Sequence, residues 1–131
     1  MSQENVEVVR RLCEALNRGD WARYVELLDP DVEWWDRADD FGATVHRGRD
    51  GVSKFIVELD ELAELRVEPK EFIEAGDYVV VPARLHGRGR ASGAPFEEHE
   101  VHVYRVRDGK VVEMREYRDR EEALEAVGLS E

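Results

Sequence analysis

A chain of 131 residues with 31 acidic against 19 basic side chains, a formal charge of −12, lacks the basic stripe needed to neutralise phosphates or anionic lipid. Its composition, 42% hydrophobic and 38% charged, is that of a globular chain, and its length suits a single domain over residues 1–131 with a real core. Cys13 is alone, which excludes an internal disulfide and a multi-cysteine metal site. No run approaches the ~18 apolar residues of a membrane span and MSQENVEVV lacks a basic region before an apolar core, so a cytoplasmic protein is expected.

Ser2 is placed to cap a helix in which Val6, Val9, Leu12, Cys13 and Leu16 recur at helical spacing, with Gly19 as its stop. On that apolar face Cys13 reads as a small buried hydrophobe. Asp20 caps a short second helix that turns Trp21, Tyr24, Val25 and Leu28 inward and ends at Asp29-Pro30. Residues 31–36, DVEWWD, alternate as a strand, with Val32, Trp34 and Asp36 on one face and Glu33 and Trp35 on the other. Residues 37–47 read as a polar, irregular connection holding Phe41, Gly42 and His46, of a length that often carries function. Gly48-Arg49-Asp50 opens a third helix with an apolar stripe of Val52, Phe55, Ile56, Leu59 and Leu62.

After Leu65 the period changes to that of strands, expected at 65–75, 77–90, 96–107 and 110–118, with turns at Ala75-Gly76 and at residues 91–95. Asp119 caps a closing helical turn that Gly128 ends. The stretch Phe96 to Tyr117, FEEHEVHVYRVRDGKVVEMREY, is a long hairpin about Asp108-Gly109 and holds the densest titratable groups of the chain. Glu98, Glu100, His102 and Tyr104 share one face of its first arm; His99, Val101 and Val103 share the other. A two-residue loop sets His102 opposite Arg115, whereas a three-residue loop with a bulge at Gly109 sets it opposite Met114 and Tyr104 opposite Val112. Simple burial arithmetic puts Val101 and Val103 inside, in conflict with an inward His102. The order helix, helix, strand, helix, four antiparallel strands and a short last helix is an α+β fold, and a curved sheet under the helices would enclose a pocket.

Of the four histidines, His46, His86, His99 and His102, the last two face opposite ways, and nothing has a familiar ligand spacing, so no metal is expected. No phosphate loop or nucleophile elbow is present. Arg84, Arg88 and Arg90 in RLHGRGR fit either an anion clamp or a solvated strand face, and Glu121, Glu122 and Glu125 fit a solvated helix face.

Three segments, ALNRGDWARYVELLDPDVEWWD, HRGRDGVSKFI and VYRVRDGKVVEMREYRDREEALEAVGL, together resemble the SnoaL-like branch of the ketosteroid-isomerase and nuclear-transport-factor superfamily over nearly the whole chain. The resemblance implies a cone-shaped curved sheet against three helices with a deep apolar cavity. It is weak for activity, since the superfamily holds isomerases, polyketide cyclases, dehydratases, epoxide hydrolases and non-catalytic binding modules. It sets Asp36 where ketosteroid isomerases keep their proton-abstracting carboxylate, and His102 where they keep a hydrogen-bond donor to the developing enolate. Three tyrosines of those enzymes correspond to Leu12, Leu28 and Ile56, so steroid isomerisation is not implied.

Residues and resemblance together give a cofactor-free acid–base enzyme of isomerase, cyclase, dehydratase or hydrolase type, acting on a small apolar organic molecule. Asp36, desolvated beside Trp34, would move a proton or activate water; His102, with Tyr104, would bind the substrate oxygen. Trp34, Leu12, Leu28, Phe55, Ile56, Glu100 and Met114 would shape the pocket. The alternative is a non-catalytic small-molecule-binding or dimerisation module, a homodimer pairing through an outer sheet face that exposes Val101, Val103 and Trp35.

Overall fold

The chain's first helix stops where a glycine lets it. In the computed structural model, which describes residues 2–36 and 44–129, α1 (Ser2–Arg18) ends with Gly19 at φ +69°, and the Gly19 and Asp20 amides bond back to the Leu16 and Ala15 carbonyls. These two hydrogen bonds close the helix only because the residue after the cap takes a left-handed conformation. Asp20 then caps α2 (Trp21–Glu26), its carboxylate accepting the Arg23 amide at 3.1 Å. That one turn lets both helices contribute to the same main core.

The remaining described elements are β1 (Leu28–Asp36), β2 (Thr44–Arg47), α3 (Gly48–Leu62), β3 (Ala63–Pro69), β4 (Ile73–Ala75), β5 (Tyr78–Gly89), β6 (Pro95–Arg107), β7 (Lys110–Tyr117) and α4 (Arg120–Ala126). The strands make one curved, unclosed sheet in the order β2-β1-β7-β6-β5-β3, with β4 also on β5. Its pairings are antiparallel except β1 with β7, which run parallel, so the sheet is mixed. Val9, Leu12, Tyr24, Val52 and Ile56 from the first three helices meet Val32, Val79 and Met114 from the sheet in the main core. Asn17 fastens α1 to the edge strand β3: its side-chain amide donates to the Val67 carbonyl and accepts the Val67 amide, both at 2.9 Å.

Several expectations change. Residues 44–47 are not part of a loose connection but pair with β1, helped by a Glu33–Arg47 ion pair across the strands; Phe41 and Gly42 lie outside the described residues. Leu28 starts β1 rather than closing α2, because Leu27 already caps that helix. The stretch 65–75 splits into β3 and β4 around residues 70–72, and Leu62, expected on the buried stripe of α3, is 71% exposed. The largest change concerns the outer sheet face. Val101 and Val103 are buried there with Val80 and Tyr117 beneath Ala123 and Leu124 of α4, so they form a second small core rather than an exposed patch. Trp35 is half-buried, with the Arg115 guanidinium 4.4 Å from its ring centre. Both faces of the hairpin are buried, which removes the conflict between an inward His102 and a buried Val101.

β3 and β5 approach closely at one glycine. Gly87, paired with Leu65, lies so close to β3 that a Cβ would run into the carbonyl oxygen of Glu64. A backbone oxygen cannot swing aside as a flexible side chain can. Gly87→Ala is therefore expected to destabilise the fold by about 2 kcal/mol or more, read as a lower urea midpoint with an unchanged slope.

Candidate functional site

The hairpin turn decides which side chains meet. Asp108 at φ +52° and Gly109 at φ +75° form a two-residue loop, with Arg107 opposite Lys110 and Val106 opposite Val111. One residue later the register slips: Arg105 faces Glu113, leaving Val112 without a partner on β6. This bulge keeps both Val111 and Met114 fully buried, and it sets Met114 opposite Tyr104 and Glu116 opposite His102. Neither register expected from the sequence is adopted, since each lacked a bulge on this arm.

The inner face of the two strands is thus polar at its centre. His102, 4% exposed, places Nε2 2.9 Å from Glu100 Oε1 and Nδ1 3.5 Å from the Tyr104 hydroxyl. With Nδ1 accepting from Tyr104, Nε2 carries the hydrogen donated to Glu100; the tautomer follows from the network. From β1 the Trp34 indole N–H donates to Glu116 Oε2 at 3.2 Å, and Asp36 hydrogen-bonds the same carboxyl.

Glu116 is pushed up to about 9, first by burial, then by the negative charge of Glu100 and by its hydrogen bond with Asp36 and that group's charge; the Trp34 N–H opposes the shift. At neutral pH Glu116 is a neutral carboxylic acid. Burial pushes the Cys13 thiol up to about 11 and the Tyr24 and Tyr104 phenols well above their usual range, so none of the three is a nucleophile near neutrality.

Two adjoining cavities open on this cluster. An inner one of about 50 Å³ is walled by Leu12, Trp34, Ile56, His102, Tyr104 and Tyr24. An outer one of about 250 Å³ is reached by Asp36, Glu98, Glu100 and Phe96, and the two share Phe55, Leu59, Leu65, Leu85 and Glu116. Eight of the ten residues expected at the site line one cavity or the other. Leu28 and Met114 line neither, being fully buried in the core behind it. The sequence reading missed Glu116, which only the bulge turns inward, and the role of Tyr24, whose hydroxyl is buried at the inner cavity without a hydrogen-bond partner.

One group among the described residues has metal-ligand chemistry: the potential ligand atoms of Glu100, His102 and Glu116 lie within 4.8 Å of one another. Histidine spacing alone does not reveal it, because two of its members are carboxylates. The arginines lie elsewhere, Arg84 on Glu68 and Glu97, Arg90 on Asp60, Arg88 on the Gly93 carbonyl.

The sequence matches the SnoaL-like domain over residues 9–114. The chain belongs to the SnoaL-like family. Among solved structures it is similar to an NTF2-like protein of unknown function from Burkholderia pseudomallei K96243, at 30% identity over 98% of this chain and 99% of that one, with a TM-score of 0.78. It is also similar to TerC co-crystallised with polyporic acid, at 26% identity over 95% and 97% of the two chains and a TM-score of 0.76. A Mycobacterium tuberculosis protein in complex with estradiol-17β-hemisuccinate shares the fold, at 18% identity over 89% and 95% of the chains and a TM-score of 0.77. No match was found among curated proteins. In this SnoaL-like chain no helix among the described residues is long and apolar enough to cross a membrane.

The raised Glu116 couples folding to pH. Unfolded, this carboxyl titrates near 4.5; folded, it holds its proton up to about 9. Between those values the folded chain binds the extra proton, so this group's contribution to stability falls as pH rises through the window and is constant on either side. Glu116→Gln, a permanent mimic of the neutral acid, is expected to gain on the parent in urea unfolding as pH rises from about 5 to about 9. A gap independent of pH would show that Glu116 carries no such proton.

Proposed function

We propose that this SnoaL-like protein is a cofactor-independent acid–base enzyme of the isomerase, cyclase, dehydratase or hydrolase type, acting on a small organic molecule held by apolar and aromatic walls. The observation that carries the reading is the Asp36–Glu116 pair: one carboxyl kept neutral to about 9 beside a second, at the junction of two cavities walled by Leu12, Trp34, Phe55 and Ile56. A carboxyl that keeps its proton beside a second carboxyl puts a hydrogen-bond donor and an acceptor in one site.

Each group then has a role set by its place. Asp36, at the outer cavity, accepts a proton from carbon or from an attacking water. Glu116, neutral and hydrogen-bonded to Asp36 in the free protein, exchanges that bond for one to the substrate oxygen on which negative charge develops. His102 stands beside it, oriented by Glu100 on one nitrogen and Tyr104 on the other, and moves the second proton. The ligands bound by TerC and by the Mycobacterium tuberculosis protein support a pocket of this fold as a place for ring-bearing molecules.

A binding module without chemistry is the second reading, favoured by an inner cavity of about 50 Å³ that leaves little room for a reacting ring. Turnover separates them. On whichever member of a panel of ketones, epoxides and polyketide-like compounds the protein converts, Asp36→Asn and Glu116→Gln are each expected to lower kcat by about 100-fold or more while thermal melting stays cooperative. Saturable binding across the panel with no conversion would establish the second reading instead.

A further inference from the structure

The outer face of the sheet carries a groove that takes no part in the acid–base site. Arg84, His86 and Arg88 alternate on β5 with Leu85, which walls both cavities of that site, so they point to the opposite face. Arg66 of β3 lies directly across from His86, and Glu64 directly across from Arg88. With Pro95, Phe96 and Glu97 of β6 they line a cavity of about 560 Å³, larger than either inner one.

The ion pairs of this face leave some of its cations unserved. Glu97 is held by Arg84 at 3.1 Å and by His99 at 3.0 Å; the Arg84 hydrogen bond first, then that of His99, keeps its carboxyl below the usual range. Glu64 reaches Arg90 at 3.7 Å rather than Arg88 across from it, and Glu68, one row further on, is shared by Lys70 and Arg84. Arg66 and Arg88 have no carboxylate among the described residues. One nitrogen of each donates to a backbone carbonyl, that of Leu65 at 3.3 Å and that of Gly93 at 3.0 Å. Between them stands the half-buried His86 ring, which has no hydrogen-bond partner among the described residues.

Two guanidiniums with most of their N–H groups free therefore flank an imidazole that brings a donor of its own. Like charges set side by side on a sheet face repel, and an anion placed between them turns that cost into attraction. The net charge of −12 keeps a polyanion away. Screening limits the reach of exposed charges to about 8 Å at physiological salt, so a small anion in the groove meets chiefly the cations beside it.

We propose that this groove is a second binding site, for a small phosphate monoester with an aromatic or other apolar body. Arg66 and Arg88 take phosphate oxygens, the His86 N–H takes a third, and Pro95 and Phe96 receive the body. Three donor groups on two strands suit a tetrahedral dianion with three free oxygens better than a planar carboxylate with two. The site stands on the face opposite Glu116 and does not depend on the acid–base reading.

Amide NMR with phenyl phosphate, inorganic phosphate and benzoate tests it. Phenyl phosphate is expected to shift the amides of residues 64–66, 84–88 and 95–97 saturably. Inorganic phosphate and benzoate should each bind there about 5-fold or more weakly, the one lacking the body and the other the second charge. Arg66→Gln and Arg88→Gln, both at exposed positions, should each weaken phenyl phosphate about 5-fold or more, whereas Arg23→Gln on α2 should leave it unchanged. In the parent protein the affinity should fall as salt is added, which carries the test if a variant fails to fold. Shifts spread over arginines all round the surface, equal affinity in all three variants, or indifference to salt overturns the site. Benzoate binding as tightly as phenyl phosphate overturns the choice of phosphate.

Discussion

Everything at the pocket depends on one unpaired residue. With Val112 left out of the ladder, β7 keeps Val111 and Met114 in the core and then presents Glu116, rather than Arg115, to His102. Because side chains alternate strictly along a strand, a slip of one residue exchanges the whole set facing the cavity for the set facing out. The bulge is what makes the centre of the site acidic, and the depth of Glu116 beneath the helices is what makes that acid hold its proton.

The sheet can afford a polar inner centre because its outer face is also buried. Val80, Val101 and Val103 sit beneath α4, so the strands beneath the pocket are held by an apolar cluster that takes no part in it. Buried polar groups are tolerated where the surrounding packing is secure and their partners are satisfied. Here Glu100, His102 and Tyr104 form one hydrogen-bonded chain and Trp34 bonds Glu116, while the Tyr24 hydroxyl is left over.

The α+β order, the cap at Asp20, the stop at Gly19 and the hairpin about Asp108-Gly109 were legible because each rests on local chemistry: a carboxylate that reaches an amide, a glycine that tolerates positive φ. The inward Asp36, Trp34 and His102 faces followed from period-two alternation and the family resemblance. What escaped was non-local. A bulge leaves no signal in a run such as Val111-Val112-Glu113-Met114 except that both Val111 and Met114 are apolar, three apart, which alternation alone cannot place on one face. Residues 44–47 are too short to show a period, and their pairing with β1 depends on β1 being there. The outer core was misread as an exposed patch because α4 is seven residues long and its two buried side chains, Ala123 and Leu124, look like any helix end.

The parallel pairing of β1 with β7 has a consequence for how the protein comes into being. The hydrogen bond from Trp34 to Glu116 spans 82 residues of chain, and β1 borders β7 with nothing between them. During synthesis α1, α2, β1, β2 and α3 are complete long before β7 exists, and the inner edge of β1 has no neighbour to pair with. Long loops must close before such contacts stabilise anything, so the sheet is joined late and its joining is slow. The acidic pair is therefore among the last features to form, and a nascent chain short of its final hairpin holds the walls of a pocket without its chemistry.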